Sequence, residues 1–299
     1  MKRIIYLTVF LSLVVVTQSQ QLMTSSFYDM YGILHNPASS GSQQHAIVGS
    51  MFKTQWNSMP GSPQTGLIFA STYLRDSKLG IGGYMYTDVT GPVKWTGLRM
   101  AYAYHIPLEE ERIFSIGLES RFLQFSYDRS KLRESLGIDD PVLSSNEKRF
   151  KGDVGAGIAY TSSKFVLGAA VSQLVQSKLK LYESGGSQSD QAKLYRHYYV
   201  HSNYYWSVDS NTRIIPHISL VYLPNAPLEV QGGIRAEYNN QIWYGLSRRA
   251  RQGWMVSAGV KVKKKFNIGY SFDIYKTPLS IYSRGSESHE IMLQYDFIQ

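Results

Sequence analysis

The 299-residue chain contains no cysteine. Disulfides, thiol catalysis and cysteine-based metal sites are therefore excluded, and so is a lipid anchor on a cysteine behind the first apolar run. Long apolar runs are also scarce. After the first twenty residues no stretch is long and apolar enough to be a membrane helix, and the mean hydropathy is −0.23. Charged residues make up only 18% of the chain. Aromatic residues, by contrast, reach 13%, with 23 tyrosines. Such side chains favour pleated strands, where they pack well. A membrane barrel fits both the aromatic content and the modest hydropathy, because only alternate residues of each strand meet lipid.

The N-terminus reads as an export signal. Met1, Lys2 and Arg3 form a short basic start, Ile4 to Val16 an apolar core, and Thr17 and Ser19 are small residues before an expected cut after Ser19. The apolar core is too short to span a bilayer comfortably. The formal charge is +9, and losing Lys2 and Arg3 would leave 9 − 2 = +7. For an exported chain this balance points to acidic partners or lipid head groups, and nucleic acid is not expected as a partner.

From Ala46 onward the hydrophobic period is two. Leu98, Met100, Tyr102, Tyr104 and Ile106 alternate with Gly97, Arg99, Ala101, Ala103 and His105. Phe114, Ile116, Leu118 and Phe122 alternate with Ser115, Gly117, Glu119 and Arg121. Leu228, Val230, Ile234 and Tyr238 alternate with Glu229, Gln231, Arg235 and Glu237, and Ile291, Leu293, Tyr295 and Phe297 with Glu290, Met292, Gln294 and Asp296. Successive side chains of a strand point to opposite faces, so each strand has one greasy and one small or polar face.

A soluble sandwich turns its apolar face inward, whereas a membrane barrel turns it to lipid. Three features favour the barrel. The non-apolar face is rich in Gly, Ala and Ser, which suits an enclosed lumen. Trp56, Trp95, Trp206, Trp243 and Trp254 stand near strand ends, where an interfacial girdle would lie. The connections also alternate in length. Tight turns are expected at 75–78, 107–111, 162–164, 239–240 and 263–264. Long loops are expected at 127–151, 175–191 and 276–286, and intermediate ones at 57–63 and 247–253. A short connection at Pro224 to Ala226 breaks the rule. The fold expected is all-β: an antiparallel transmembrane barrel of about 14 strands. Strand spans run from 44–56 to 287–298, after a signal peptide (1–19) and a short, plug-like periplasmic lead-in segment (20–43). Residues 44–299 would be the barrel. Within the long loops, Ser130 to Leu136 suggests a short helix and residues 185–190 a flexible polar run. Ser247 to Arg251 reads as a basic loop, with plain solvation preferred to an anion site.

Catalytic chemistry is not apparent. His197 and His201 share a strand face but lie too far apart along it to hold one ion, so they read as lumen-lining residues. Gly80 to Gly83 and Gly155 to Gly157 sit inside strands and do not open helices, so they are not phosphate loops. Strand glycines of this kind let a wall curve or let something approach closely. No Gly-x-Ser-x-Gly elbow occurs. An enzyme is not expected, and no cofactor or metal is implied.

The segment before the first strand carries a resemblance. Tyr31, Gly32, Asn36, Pro37, Ala38 and Gly41, then Lys53-Thr54-Gln55-Trp56 and Gly61-Ser62-Pro63-Gln64-Thr65, resemble the start of the PorP/SprF family of type IX secretion system outer-membrane proteins. Further likeness lies in Lys78 to Gly82, Gly91-Pro92, Tyr102 to Leu108, Asn267 to Asp273 and His289 to Leu293. It covers essentially the whole chain after the signal and is thinnest between Tyr127 and Asn211. The resemblance implies a non-enzymatic barrel in the outer membrane of a Gram-negative bacterium. Such a barrel would support export or surface attachment of proteins with a C-terminal sorting domain, often adhesins linked to gliding. It also implies partners among periplasmic ring or peptidoglycan-linked components. The alternative is a general porin or small-solute channel. Candidate positions are therefore the lead-in residues Tyr31, Gly32, Asn36, Pro37, Ala38 and Gly41, with Trp56 closing the first strand. Tyr127, Lys151, Arg248, Arg249 and Arg251 are expected on extracellular loops that hold a partner. Ile33, Leu34 and Pro37 are apolar, so Tyr28 to Gly41 is expected to fold into the barrel mouth or onto a periplasmic partner.

Overall fold

A computed structural model of the chain describes residues 24–109, 111–128, 130–131, 148–176, 178–180, 191–224, 226–276 and 287–298. The expected signal peptide, nearly all of the expected helix Ser130 to Leu136, the polar run 185–190 and most of the 276–286 loop lie outside the described residues.

The described residues form seventeen strands: β1 Ala46–Gln55, β2 Gln64–Leu74, β3 Leu79–Thr90, β4 Val93–Pro107, β5 Ile113–Tyr127, β6 Lys148–Thr161, β7 Phe165–Ser172, β8 Lys178–Lys180, β9 Gln191–Lys193, β10 His197–Tyr204, β11 Trp206–Ser207, β12 Thr212–Tyr222, β13 Glu229–Tyr238, β14 Ile242–Arg249, β15 Gly253–Val262, β16 Phe266–Tyr275 and β17 Glu287–Phe297. β8 and β9 pair only with each other, outside the wall. The other fifteen form one antiparallel sheet. β11 pairs only with β12 and continues the line of β10, so the wall has 15 − 1 = 14 strands. It closes where β1 pairs with β17 from Ala46↔Phe297 to Gln55↔Ser288. Closure removes both sheet edges and pairs the backbone along the ring, which hydrocarbon surroundings require.

Period two decides the faces. Along β17, Glu290, Met292, Gln294 and Asp296 are buried, while Ile291, Leu293, Tyr295 and Phe297 are exposed. On β5, Ser115, Gly117, Glu119 and Arg121 are buried, while Ile116 and Leu118 are exposed. This inverts the logic of a soluble protein: the largest exposed surface is apolar, and many buried side chains are polar or charged.

Several expectations about the wall are corrected. β3 runs on to Thr90, so residues 91–92 form a tight turn at the end where long connections were expected. β6 starts at Lys148, so Lys151 is a wall residue, and Tyr127 is the last residue of β5. Between residues 191 and 207 the chain forms three separate strands, β9, β10 and β11. The basic loop is shorter than expected. Arg248 and Arg249 belong to β14, and only the turn at 250–252 lies beyond the wall. Trp243 is not in a girdle. It is in phase with inward-facing Gly245 and Ser247 and is 4% exposed inside the lumen.

Turn chemistry explains the tight end. Asn239 and Asn240 both have positive φ, with the Gln241 amide donating to Tyr238. Lys263 and Lys264 repeat this geometry, with the Lys265 amide donating to Val262. These are type I′ turns, whose twist matches that of the flanking strands.

Candidate functional site

The lumen is where the chain concentrates its buried polar groups, and residues 24–45 run through it. Ser25 and Ser26 meet Lys53, Asp273 and Glu290, which lie toward the ends of β1, β16 and β17 nearest the long connections. Ser40 and Gly41 meet His105, Gly80 and Ser71 on β4, β3 and β2, toward the tight-turn end. The segment thus descends the lumen from one half to the other and then reverses into β1. Tyr28 to Gly41, expected in the barrel mouth or on a periplasmic partner, packs against wall residues inside the lumen.

Residues 32–41 fit the wall by shape. Two short 3-10 turns, Gly32–Leu34 and Pro37–Ser39, give this stretch its form. Pro37 occupies the first position of the second turn, where its fixed φ suits the turn and no donor is lost. Asn36 caps that turn. Its Oδ1 accepts from the Ala38 amide at 3.0 Å, and its Nδ2 donates to the Ile158 carbonyl at 2.9 Å. Nδ2 is also 3.1 Å from Nε2 of His201. Because an amide NH₂ only donates, that Nε2 is the acceptor and the ring proton sits on Nδ1. Asn36 is 0% exposed, so all of its polar capacity is met inside the protein.

Glycines make the seat. A Cβ on Gly80 would stand 1.9 Å from the Ser40 carbonyl oxygen, and one on Gly117 would stand 2.2 Å from the Ala38 nitrogen. On Gly157 and Gly168 it would meet the Asn36 side chain at 2.2 and 2.5 Å. These positions on β3, β5, β6 and β7 are glycine because backbone and amide occupy the space a side chain would take. His105 completes the seat: Nε2 donates to the Ser40 carbonyl at 2.8 Å, so Nδ1, 2.7 Å from Ser115 Oγ, accepts.

Residues 24–31 are held differently. Lys53 Nζ stands 2.9 Å from Asp273 and 3.5 Å from Glu290, all three deeply buried. Ser25 Oγ donates to Glu290 at 2.6 Å, the Ser26 amide to Glu290 at 2.8 Å, and Ser26 Oγ to Asp273 at 2.8 Å. Asp29 is 3.0 Å from Arg235 and 3.6 Å from His217, and its carbonyl accepts from Asn203 at 2.7 Å. Pairing and hydrogen bonding are what let such charges stay buried. Between these polar clips, Phe27 stands edge-on to Trp243 at 5.9 Å and Tyr31 packs on Phe69 at 4.7 Å. Both belong to the apolar cluster that includes Ile33, Leu34, Met51, Leu67, Tyr84 and Met292.

The candidate positions divide accordingly. Tyr31, Gly32, Asn36, Pro37, Ala38 and Gly41 come together in the lumen. Trp56 stands just past β1, where its amide donates to Glu287. Tyr127 and Lys151 are wall residues at the long-connection end of β5 and β6. Arg248 lies outside, over the Trp254 ring at 5.4 Å, and Arg251 is in the turn. Arg249 is 2% exposed and points inward, to Glu229 at 3.3 Å and Gln231 at 3.1 Å. Sequence reasoning did not find Lys53, Asp273, Glu290, Asp29 and Arg235. Their inward parity was readable, but their mutual contact was not. Among the described residues no group of three or more His, Asp or Glu is arranged to hold a metal ion.

This arrangement, a closed 14-strand barrel with an apolar exterior and a filled polar lumen, defines an outer-membrane barrel protein, and solved structures share its fold. The chain is similar to the toluene transporter TodX of Pseudomonas putida (10% identity, TM-score 0.51, 93% of this chain and 95% of that one). It is also similar to a TodX deltaS2S3 mutant described as a monoaromatic hydrocarbon channel (12%, 0.53, 89% and 93%). A third likeness is to the outer membrane protein Omp33 of Acinetobacter baumannii (7%, 0.51, 85% and 98%). No curated protein matches the chain. The profile of the type IX secretion system membrane protein family PorP/SprF matches residues 17–295. The chain belongs to that family and is a protein of the outer membrane.

Proposed function

We propose that this barrel supports export or surface attachment of proteins bearing a C-terminal sorting domain, as an outer-membrane part of the type IX machinery. The family match over residues 17–295 carries this reading. The filled lumen supports a docking role over a general porin, because the chain's own segment occupies the space a wide channel would need. In the proposed orientation the tight turns face the periplasm and the long connections the cell surface, as in bacterial barrels generally. Residues 1–19 would be removed on export, and 20–43 would form the internal plug. Wall residues Tyr127 and Lys151 and the turn residue Arg251 lie at the end that would meet the exported domain. Strand addition at a loop is one physical route to such a contact. Periplasmic ring or peptidoglycan-linked components would dock at the tight turns. Deleting the gene and assaying medium and cell surface tests this: sorting-domain proteins should be lost from the surface, and unchanged export refutes it.

A further inference from the structure

We propose that residues 24–31 are the movable gate of a solute path through this barrel, and that residues 32–41 are its fixed post. Two cavities, of about 290 and 210 Å³, lie beside the segment in the tight-turn half of the lumen. One reaches the turn at Ser162 and Ser163, the other the turn at Asn240 and Gln241. Asp29, Met30 and Tyr31 line both. Gln43 and Tyr205 also border both, so the gate is one part of the partition between them, and its departure joins them into one space. That space extends to Lys53, near the long-connection end of β1, because Ser25 and Ser26 cover the Lys53–Asp273–Glu290 cluster.

The two halves differ in what their removal leaves behind. Withdrawing the post would open the glycine seat and strand its hydrogen-bonding partners, among them the Ile158 carbonyl. Withdrawing the gate leaves charges already paired within the wall. Lys53 keeps Asp273 and Glu290, and Arg235 keeps Glu237 at 3.3 Å. Serine hydroxyls, the Asp29 carboxylate and backbone groups bonded to Asn203 and Glu290 are exchanged for water that enters with opening, and such exchanges nearly cancel. Phe27 against Trp243, Tyr28 against His217 and Tyr31 against Phe69 hold the gate shut at rest, because opening returns those rings to water. The path freed is lined by Lys53, His217, Arg235, Glu237 and Asp273, a surface of both signs that suits inorganic ions and small hydrophilic solutes. This gating role does not rest on the secretion reading.

The full-length barrel in planar bilayers with potassium chloride tests the proposal. Removing 24–31 should raise conductance about tenfold over the intact chain, as expected if the resting equilibrium lies well toward the closed form. A deleted barrel that keeps its heat-modifiable gel mobility but conducts no more than the intact chain overturns the idea. A second experiment decides the matter even if the deletion does not fold. Ser25 Oγ lies 3.6 Å from Met51 Sδ, so in this cysteine-free chain a short bis-methanethiosulfonate linker, joined through reducible disulfides to Ser25→Cys and Met51→Cys, can tether the gate to β1. With Asp29→Ala added to loosen the clip, the reduced protein should conduct and the linked protein should fall back to the level of the intact chain. Equal conductance in the reduced and linked states refutes a moving gate.

Discussion

Gly117→Ala is the smallest change that tests the seat. Its new Cβ would lie 2.2 Å from the Ala38 nitrogen and 2.5 Å from the Pro37 carbonyl carbon. Both are backbone atoms, so no flexible side chain can swing aside. The turn Pro37–Ser39 must lift, and Asn36 moves with it. Asn36 makes its bonds to Ala38, Ile158 and His201 without help from water. Losing one or two of them inside the protein costs about 2–4 kcal/mol, since a stranded buried group forfeits its full solvation. At about 1.4 kcal/mol per factor of ten, undocking of the segment should become roughly 30- to 700-fold more frequent. Hydrogen exchange followed by mass spectrometry on peptides from 24–45 reads this as a matching loss of protection. Gly66→Ala is the control, because its Cβ would meet only Phe52 at 4.0 Å. If Gly117→Ala exchanges like the intact chain, the glycine seat does not hold the segment.

Other substitutions probe the wall. Leu118, 63% exposed in mid-strand, should face hydrocarbon, so Leu118→Arg should cost about 2–4 kcal/mol in a reversible folding assay in lipid. Its neighbour Glu119 points inward, 3.0 Å from buried Arg121, so Glu119→Gln should also destabilise the barrel, by removing the partner of a buried cation and not by any clash with lipid. Lys264 holds a positive φ of 59° in a type I′ turn. Lys264→Gly should therefore stabilise by roughly 0.5–1 kcal/mol and raise the temperature of heat-modified gel conversion, and a lower temperature would contradict the turn assignment.

Much of the wall is legible in the sequence because one physical rule, period two, acts on every strand. Glu290, Gln294 and Asp296 are inward for the same reason that Ile291 and Leu293 are outward. That rule also reaches the two tryptophan and arginine positions that position-in-loop reasoning misplaced. Trp243 and Arg249 share the phase of Gly245 and Ser247, and parity alone puts both in the lumen. The strand glycines pointed to a close approach, but not to what approaches. A seat made of Gly80, Gly117, Gly157 and Gly168 draws on four strands whose relative heights depend on barrel tilt and stagger. The Lys53–Asp273–Glu290 cluster is still less readable, since single residues on β1, β16 and β17 carry no local sign of a shared partner.

The ring closes between its first and last wall strands, and this places a demand on assembly. Ser25 and Glu290 are 265 residues apart in sequence, yet they touch beside the join of β1 and β17. Contacts so distant are late rewards for a large loss of chain freedom, and they make folding slow. Ser25 and Ser26 bind groups on both flanks of that join, Lys53 on one side and Asp273 and Glu290 on the other. The segment that fills the finished lumen therefore also straps the join from inside, and its contacts arrive with closure rather than ahead of it.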